Sequence, residues 1–143
     1  MKGLNAPEQA RQRHARPASA SAHILVVEDD EDSRELMRLQ LKGAGYRVTT
    51  AEDAVEAGHC VLERLPDLIV ADFNMPYMSG TDFIAALRAD GTIPDLPVIF
   101  VTDLENSARL EGHTFGFPML TKPLLADELL AAVAVQLKAR RFP

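Results

Sequence analysis

Short apolar runs alternate with amphipathic stretches along most of the chain. The apolar runs are rich in branched aliphatic side chains, as in strands buried on both faces, and cover residues 23–27, 46–50, 68–71, 98–101 and 117–121. The amphipathic stretches have helical spacing and cover residues 31–44, 54–65, 80–89, 106–112 and 126–141. Strand and helix alternate five times, which predicts an α/β fold with a parallel five-stranded sheet between two helical layers.

Single positions refine this assignment. In the first helix we expect Leu36, Leu39 and Leu41 to face the core. Asp30 stands immediately before that helix, where its carboxylate suits an N-cap better than a metal ligand. Gly58 lies in the middle of the second helix and weakens it by about 1 kcal/mol relative to alanine.

Composition limits the class of protein. With 143 residues, 47% of them hydrophobic, the chain has enough apolar material for one globular domain and little room for a second. No apolar run approaches the length of a membrane span, and the start is too polar for a secretory signal, so we expect a cytoplasmic protein. Cys60 is the single cysteine and is expected to be a buried or half-buried helix thiol.

Charge is unevenly distributed along the chain. The net charge is −6, yet residues 1–22 carry a net +3 from Lys2, Arg11, Arg13 and Arg16 against Glu8. We expect these 22 residues to be a disordered tail, residues 23–141 to form the folded domain, and no output domain to follow. The acidic body argues against nucleic-acid binding, which depends on neutralising phosphates.

Polar side chains follow the predicted strands at the points where they end. Glu28 and Asp29 follow the first strand, Asp72 the third, Thr102 the fourth and Lys122 the fifth. The carboxyl ends of parallel strands form the edge where α/β sheets bind ligands, so we expect these side chains to converge. Three carboxylates brought together repel one another unless a cation is present, and oxygen ligands of this kind suit Mg²⁺.

The same edge also offers groups for a further anion. Lys122 supplies a cation and Thr102 a hydroxyl donor, while an oxygen of Asp72 is a suitable nucleophile. These residue types together indicate a phosphoryl-transfer site.

Four segments carry a family resemblance. They are ILVVEDD at residues 24–30, PDLIVADFNMPYMSG at 66–80, VIFVT at 98–102 and TKP at 121–123. Each segment alone is weakly specific, but all four in this order, with suitable spacers, are highly specific. Over residues 23–141 the chain resembles the receiver domains of bacterial response regulators, the CheY-like family of two-component signalling. The resemblance implies a flavodoxin-like, doubly wound (βα)5 fold with strand order 2-1-3-4-5.

The resemblance also implies roles for individual residues. Asp72 corresponds to the phosphoacceptor, and with it Asp29 is expected to bind Mg²⁺ directly, Glu28 through water and Asn74 through its backbone carbonyl. Lys122 is expected to contact the acyl phosphate, and Thr102 to move toward it after phosphorylation.

Two positions depart from the family pattern. Met119 stands three residues before the lysine, where the family usually has Tyr or Phe, and Asp103 follows the threonine in place of a small residue. Residues 115–118, FGFP, form an unusual stretch between them. We hypothesise that phosphorylation is retained while its conformational readout is altered. Met119 acting only as a flexible apolar core filler is the competing interpretation.

Three classes of function are weighed. The resemblance favours a stand-alone receiver that is phosphorylated by a sensor histidine kinase or a histidine phosphotransfer protein and signals by binding a downstream protein, without being an enzyme for an outside substrate. A phosphorylation-independent interaction module is the alternative that Met119 and Asp103 support. An aspartyl-phosphate hydrolase is disfavoured because Asn74, not an acid, stands two residues after Asp72. The apolar stripe of the last helix also allows a homodimer, although core packing is its commoner use.

Overall fold

The computed structural model describes residues 22–141, which form five strands and five helices in strict alternation. The tail expected over residues 1–22 lies outside the described residues, apart from Ala22, which is buried. In chain order the elements are β1 (His23–Val27), α1 (Glu31–Gly43), β2 (Arg47–Ala51), α2 (Ala54–Glu63), β3 (Leu68–Asp72), α3 (Gly80–Ala89), β4 (Val98–Thr102), α4 (Leu104–Leu110), β5 (Met119–Thr121) and α5 (Ala126–Arg141).

The strands form one sheet in the order β2-β1-β3-β4-β5, with every neighbouring pair parallel. This arrangement confirms the flavodoxin-like fold expected from the sequence. Every residue of β1, β3 and β4 is buried, which explains why their sequences are continuous aliphatic runs. Val27 pairs with Ala71, and Asp72 pairs with Val101, so the carboxyl ends of the three central strands lie side by side.

The sheet separates two apolar cores. One contains Ala57 of α2, Phe83 of α3 and Leu110 of α4 together with sheet residues. The other contains Leu41 of α1 and Leu129 of α5 with residues from the opposite face of the sheet. Three helices therefore cover one face and two cover the other, as in a doubly wound sheet.

The inward face of α1 differs from the expectation. Leu41 is buried as expected, but Leu36 and Leu39 are 51% and 53% exposed, and that part of the prediction was wrong. The buried partner of Leu41 is Met37, because residues four apart share one face of a helix. Leu36 lies to one side of that face and Leu39 lies opposite it, so both are largely exposed to solvent.

Three elements begin at residues other than the expected ones, and α2 and α4 end two residues early, at Glu63 and Leu110. β2 begins at Arg47, one residue late, and α4 begins at Leu104, two residues early. β5 begins at Met119 because the preceding residues form a turn, in which the amide of Phe117 donates to the carbonyl of Thr114. Among the described residues, no helix combines the length and apolar character that crossing a bilayer requires.

Candidate functional site

Three carboxylates meet at the carboxyl edge of the sheet. Glu28 and Asp29 follow β1, and Asp72 ends β3, so the parallel register of these neighbouring strands brings them together. One carboxylate oxygen from each lies within 4.8 Å of the others. Glu28 is fully buried and Asp72 is 4% exposed, whereas Asp29 is open to solvent. The cluster is thus a largely buried acidic site that is open to solvent at Asp29.

Lys122 provides the positive charge of the site. Its Nζ lies 2.8 Å from Glu28 Oε1 and 3.7 Å from Asp72 Oδ2. Its backbone amide donates to the carbonyl of Thr102 at 2.8 Å, which fixes the residue at the end of β5. Burial by itself lowers the pKa of Lys122, but the ion pair with Glu28 and the charge of Asp72 outweigh it and raise that pKa above its usual value. Lys122 is therefore a permanent ammonium.

Asp72 does not ionise readily in this environment. Burial, followed by the charge and hydrogen bond of Glu28 and the charge of Asp29, raises the pKa of Asp72 to about 8, although Lys122 opposes the shift. Additional positive charge is needed to hold Asp72 as an anion at neutral pH. The three side chains offer only hard oxygen donors, and this donor set fits a divalent cation such as Mg²⁺.

Thr102 and Asn74 lie next to the cluster. Thr102 ends β4, is buried, and donates its hydroxyl hydrogen to the carbonyl of Asp103 at 3.2 Å. Asn74 lies in the loop after β3, and its side-chain amide is 3.5 Å from a carboxylate oxygen of Asp103. The role inferred for the Asn74 backbone carbonyl remains a prediction.

Asp103 has a structural use that its sequence position did not reveal. Its carboxylate accepts a hydrogen bond from the backbone amide of Asn106 at 2.8 Å and so caps the N-terminus of α4. The second oxygen receives the Asn106 side-chain amide. The negative charge that Asp103 adds beside Thr102 therefore interacts with the N-terminus of α4. The sequence predicted that α4 begins at Asn106. The cap becomes evident only when the helix is known to begin at Leu104, directly after Asp103.

Two further residues support the site. Arg34 donates from Nη1 to the backbone carbonyl of Glu28 at 3.0 Å and holds the loop that presents the carboxylates. The position of Arg34 in the sequence gives no indication of this role. Gly80, the first residue of α3, packs so tightly against the end of β3 that an added Cβ would clash with the carbonyl oxygen of Asp72. The close approach of α3 to the backbone at the end of β3 thus requires glycine at this position.

Met119 occupies the position of the expected family aromatic. It is half-buried, pairs in register with Phe100, and packs with Phe117 against the core of α2, α3 and α4. This packing is compatible with the core-filler interpretation, while the influence of Met119 on switching remains a hypothesis.

Comparison with known proteins gives a consistent result. The family model of the response regulator receiver domain matches residues 24–134. A response regulator MprA of Mycobacterium ulcerans is 38% identical over 85% of this chain and 53% of its own length. The phosphate regulon transcriptional regulatory protein PhoB of Pseudomonas aeruginosa is 32% identical over 80% of this chain and 51% of its own length. This chain therefore spans about half the length of the curated relatives it matches.

Solved structures agree with the sequence comparison. The receiver domain of the Francisella response regulator 1452 superposes with a TM-score of 0.74 at 30% identity, covering 84% of this chain and 99% of that one. The chemotaxis response regulator CheY4 of Vibrio cholerae gives a TM-score of 0.72 at 31% identity, covering 80% and 98%. The resemblance inferred from the four sequence segments is confirmed, and the chain belongs to the response regulator receiver domain family of two-component signalling.

Proposed function

We propose that this domain is a phosphorylation switch in which Asp72 accepts a phosphoryl group from a phosphohistidine in a Mg²⁺-dependent reaction. The observation that carries the proposal is the meeting of Asp72, two further carboxylates and Lys122 at one edge of the sheet. The phosphorylated form then binds a downstream protein with an affinity different from that of the free form.

The transfer is a simple exchange of bonds. An oxygen of Asp72 attacks the phosphorus, the phosphorus–nitrogen bond of the donor breaks, and its electron pair stays with the imidazole. Lys122 lies within 3.7 Å of the attacking carboxylate and offsets the negative charge of the arriving group. Glu28, Asp29 and Asp72 would hold the Mg²⁺ ion, with Asn74 adding its backbone carbonyl, and the ion supplies further charge compensation when bound.

Thr102 connects the phosphoryl group to the rest of the domain in this proposal. Its hydroxyl now bonds to the carbonyl of Asp103, the residue that caps α4. When Thr102 turns toward a phosphoryl oxygen on Asp72, that bond is exchanged and the start of α4 loses a tether. Because Met119 replaces the usual aromatic, we propose that readout passes mainly through the start of α4.

The proposed partners follow from the chemistry. A sensor histidine kinase or a histidine phosphotransfer protein supplies the phosphoryl group, and a protein target reads the result. The domain catalyses only its own phosphorylation and dephosphorylation. Its action as a stand-alone receiver, its cytoplasmic location and its lack of a nucleic-acid partner remain predictions, since the matched relatives are about twice as long.

Intact-mass measurement with a small phosphodonor tests the proposal. Acetyl phosphate with Mg²⁺ is expected to add one phosphoryl group to the wild type, to add little when Mg²⁺ is chelated, and to add none to Asp72→Ala. Asp95→Ala, which removes an exposed carboxyl from the loop before β4, is the matched control and should react normally. No gain in the wild type, together with no binding of beryllofluoride and Mg²⁺, would favour the phosphorylation-independent interaction module.

A further inference from the structure

A second surface of the domain carries features that the phosphorylation site does not use. A groove of about 420 Å³ runs between α2 and α3 and is closed at one end by the loop after β3. Its walls include Val55 and Leu62 of α2 and Tyr77 and Met78 of the loop. We call this surface, with Gly58 on its floor, the α2–α3 groove.

The walls of the groove expose large apolar side chains to solvent. Leu62 is 73% exposed and Tyr77 is 87% exposed, and Val55 and Met78 are exposed as well. Single exposed apolar residues are ordinary, but four lining one groove form the kind of patch that marks an interaction site. Tyr77 also has a φ of 71°, in the left-handed region that bulky residues rarely occupy. The loop thus holds an aromatic side chain outward at a cost in backbone strain.

Gly58 adds an independent indication. It lies in the interior of α2, where glycine lowers stability by about 1 kcal/mol relative to alanine. A Cβ at this position would meet nothing within 4 Å, so no contact inside the described domain requires glycine here. The missing side chain deepens the groove and lets another backbone approach α2 closely. A backbone docked in the groove would account for a glycine that no contact inside the described domain requires.

The charge around the groove selects its occupant. Residues 52–64 and 82–95 contain seven acidic residues and two basic residues, namely Glu52, Asp53, Glu56, Glu63, Asp82, Asp90 and Asp95 against Arg64 and Arg88. Arg88 is already engaged, since its guanidinium stacks 5.2 Å from the ring centre of Phe115 and lies 3.9 Å from Asp95. This field repels nucleic acid, anionic lipid and a second copy of the same surface.

We propose that the α2–α3 groove is the docking site for an amphipathic helix of a partner protein, with an apolar stripe flanked by lysine and arginine. α2 has ten residues and is about 15 Å long, which suits a partner helix of about three to four turns. The first 21 residues of this chain are basic but offer only Met1 and Leu4 as large apolar side chains, so they lack the required stripe.

The surface of α1 provides a natural control. A groove of similar size, about 410 Å³, lies beside α1 and includes Leu36, which is also well exposed. The charges of α1 are balanced, with Glu31, Asp32 and Glu35 against Arg34, Arg38 and Lys42. A cationic helix is therefore expected to prefer the α2–α3 groove, and Leu36 serves as the counterpart of Leu62.

A designed peptide tests the proposal on the full chain without any phosphodonor. The probe is a fluorescent helical peptide of roughly 15 residues with leucine on one face and lysine on the other, titrated by anisotropy. Leu62→Gln is expected to weaken binding about tenfold, as for the loss of one buried leucine. Leu36→Gln is expected to leave the affinity unchanged. Asp72→Ala is also expected to bind normally, which separates this test from that of the phosphorylation switch.

Gly58→Ala gives the sharpest discrimination. The variant is expected to unfold at higher temperature, because it restores helix propensity without a clash, and yet to bind the peptide several-fold more weakly. The docking proposal is overturned if the wild type does not bind the peptide, if a peptide with glutamate in place of lysine binds equally well, or if Leu36→Gln and Leu62→Gln weaken binding to the same extent.

Discussion

Asp72 is held in surroundings that oppose its ionised form. Its carboxyl group is almost completely buried beside fully buried Glu28, and among the described residues Lys122 forms the ion pairs that offset the negative charge. Lys122 lies closer to Glu28 than to Asp72, so the lysine compensates Glu28 first. Asp72, the nucleophile of the proposed reaction, is thus left with a less favourable charge balance than Glu28. Function at this site is gained at the expense of stability in the metal-free protein.

Replacement of Asp72 by asparagine is therefore expected to stabilise the metal-free domain. The pKa of Asp72 is about 8 in the fold against an ordinary 3.8, so the folded protein keeps its proton where the unfolded chain has lost it. Stability of the wild type should consequently fall as pH rises between these two values. At pH 8 we expect Asp72→Asn to be more stable by roughly 1–3 kcal/mol, measured by urea unfolding in EDTA.

The difference should shrink as the pH is lowered toward 4, because the unfolded chain progressively regains the proton that Asp72 keeps in the folded state. It should also shrink when Mg²⁺ is added, since bound cation stabilises the ionised wild type. Asp95→Asn, at an exposed carboxyl, should show neither dependence. Equal stability of the wild type and Asp72→Asn at pH 8 in EDTA would contradict the charge balance inferred for this site.

At the level of elements, the stability of α4 depends strongly on the residues at its start. It has only seven residues, too few for a helix to be stable by itself, and one buried side chain, Leu110, anchors it to the core. The Asp103 carboxylate satisfies the amide of Asn106 at the start of the helix. The cap is next to Thr102, so the shortest helix of the described domain begins beside the proposed phosphoryl site.

Asp103→Ala is expected to destabilise α4 by about 1 kcal/mol through the loss of this cap. Amide hydrogen exchange in residues 104–110 should be faster in the variant than in the wild type, whereas exchange in α3 should be the same in both. Asp103→Ser retains a capping oxygen and should behave nearly as the wild type, although it removes the charge. If serine and alanine had equal effects, the negative charge of Asp103 and not its capping hydrogen bond would be the important property.

The elements also indicate how far the sequence could be interpreted by itself. β1 and β4 are continuous aliphatic runs buried on both faces, and their ends are marked by polar residues, so their positions and the convergence of the site followed directly. The inward face of α1 could not be predicted in this way, because leucine occurs on several sides of that helix and only packing selects Leu41. The cap by Asp103, the brace by Arg34 and the pKa of Asp72 depend on distances that no spacing encodes.

Across the whole molecule, the phosphoryl site and the half-buried face of β5 are joined by a short path. Thr102 ends β4, pairs with Thr121 of β5, and accepts the amide of Lys122 through its carbonyl. Met119 lies two residues earlier on β5, opposite Phe100. Under the proposed readout, we expect a rigid aromatic ring at this position to respond to a displaced Thr102 by changing between two orientations. We expect the flexible methionine side chain to adapt by small adjustments over several bonds and to transmit less of the displacement.

Met119→Phe is accordingly expected to strengthen the response of β5 to phosphorylation. Beryllofluoride with Mg²⁺ should shift backbone amide resonances near Asp72 and Thr102 in both proteins. The shifts in residues 117–121 should be roughly twofold larger in the variant, because the ring favours two discrete positions. Asp72→Ala in either background should abolish the shifts. Met119→Leu, which keeps an apolar side chain without a ring, should resemble the wild type. Equally large β5 shifts in the wild type and Met119→Phe would mean that methionine couples as efficiently as phenylalanine, and the altered readout would then have to be sought in the cap of α4 alone.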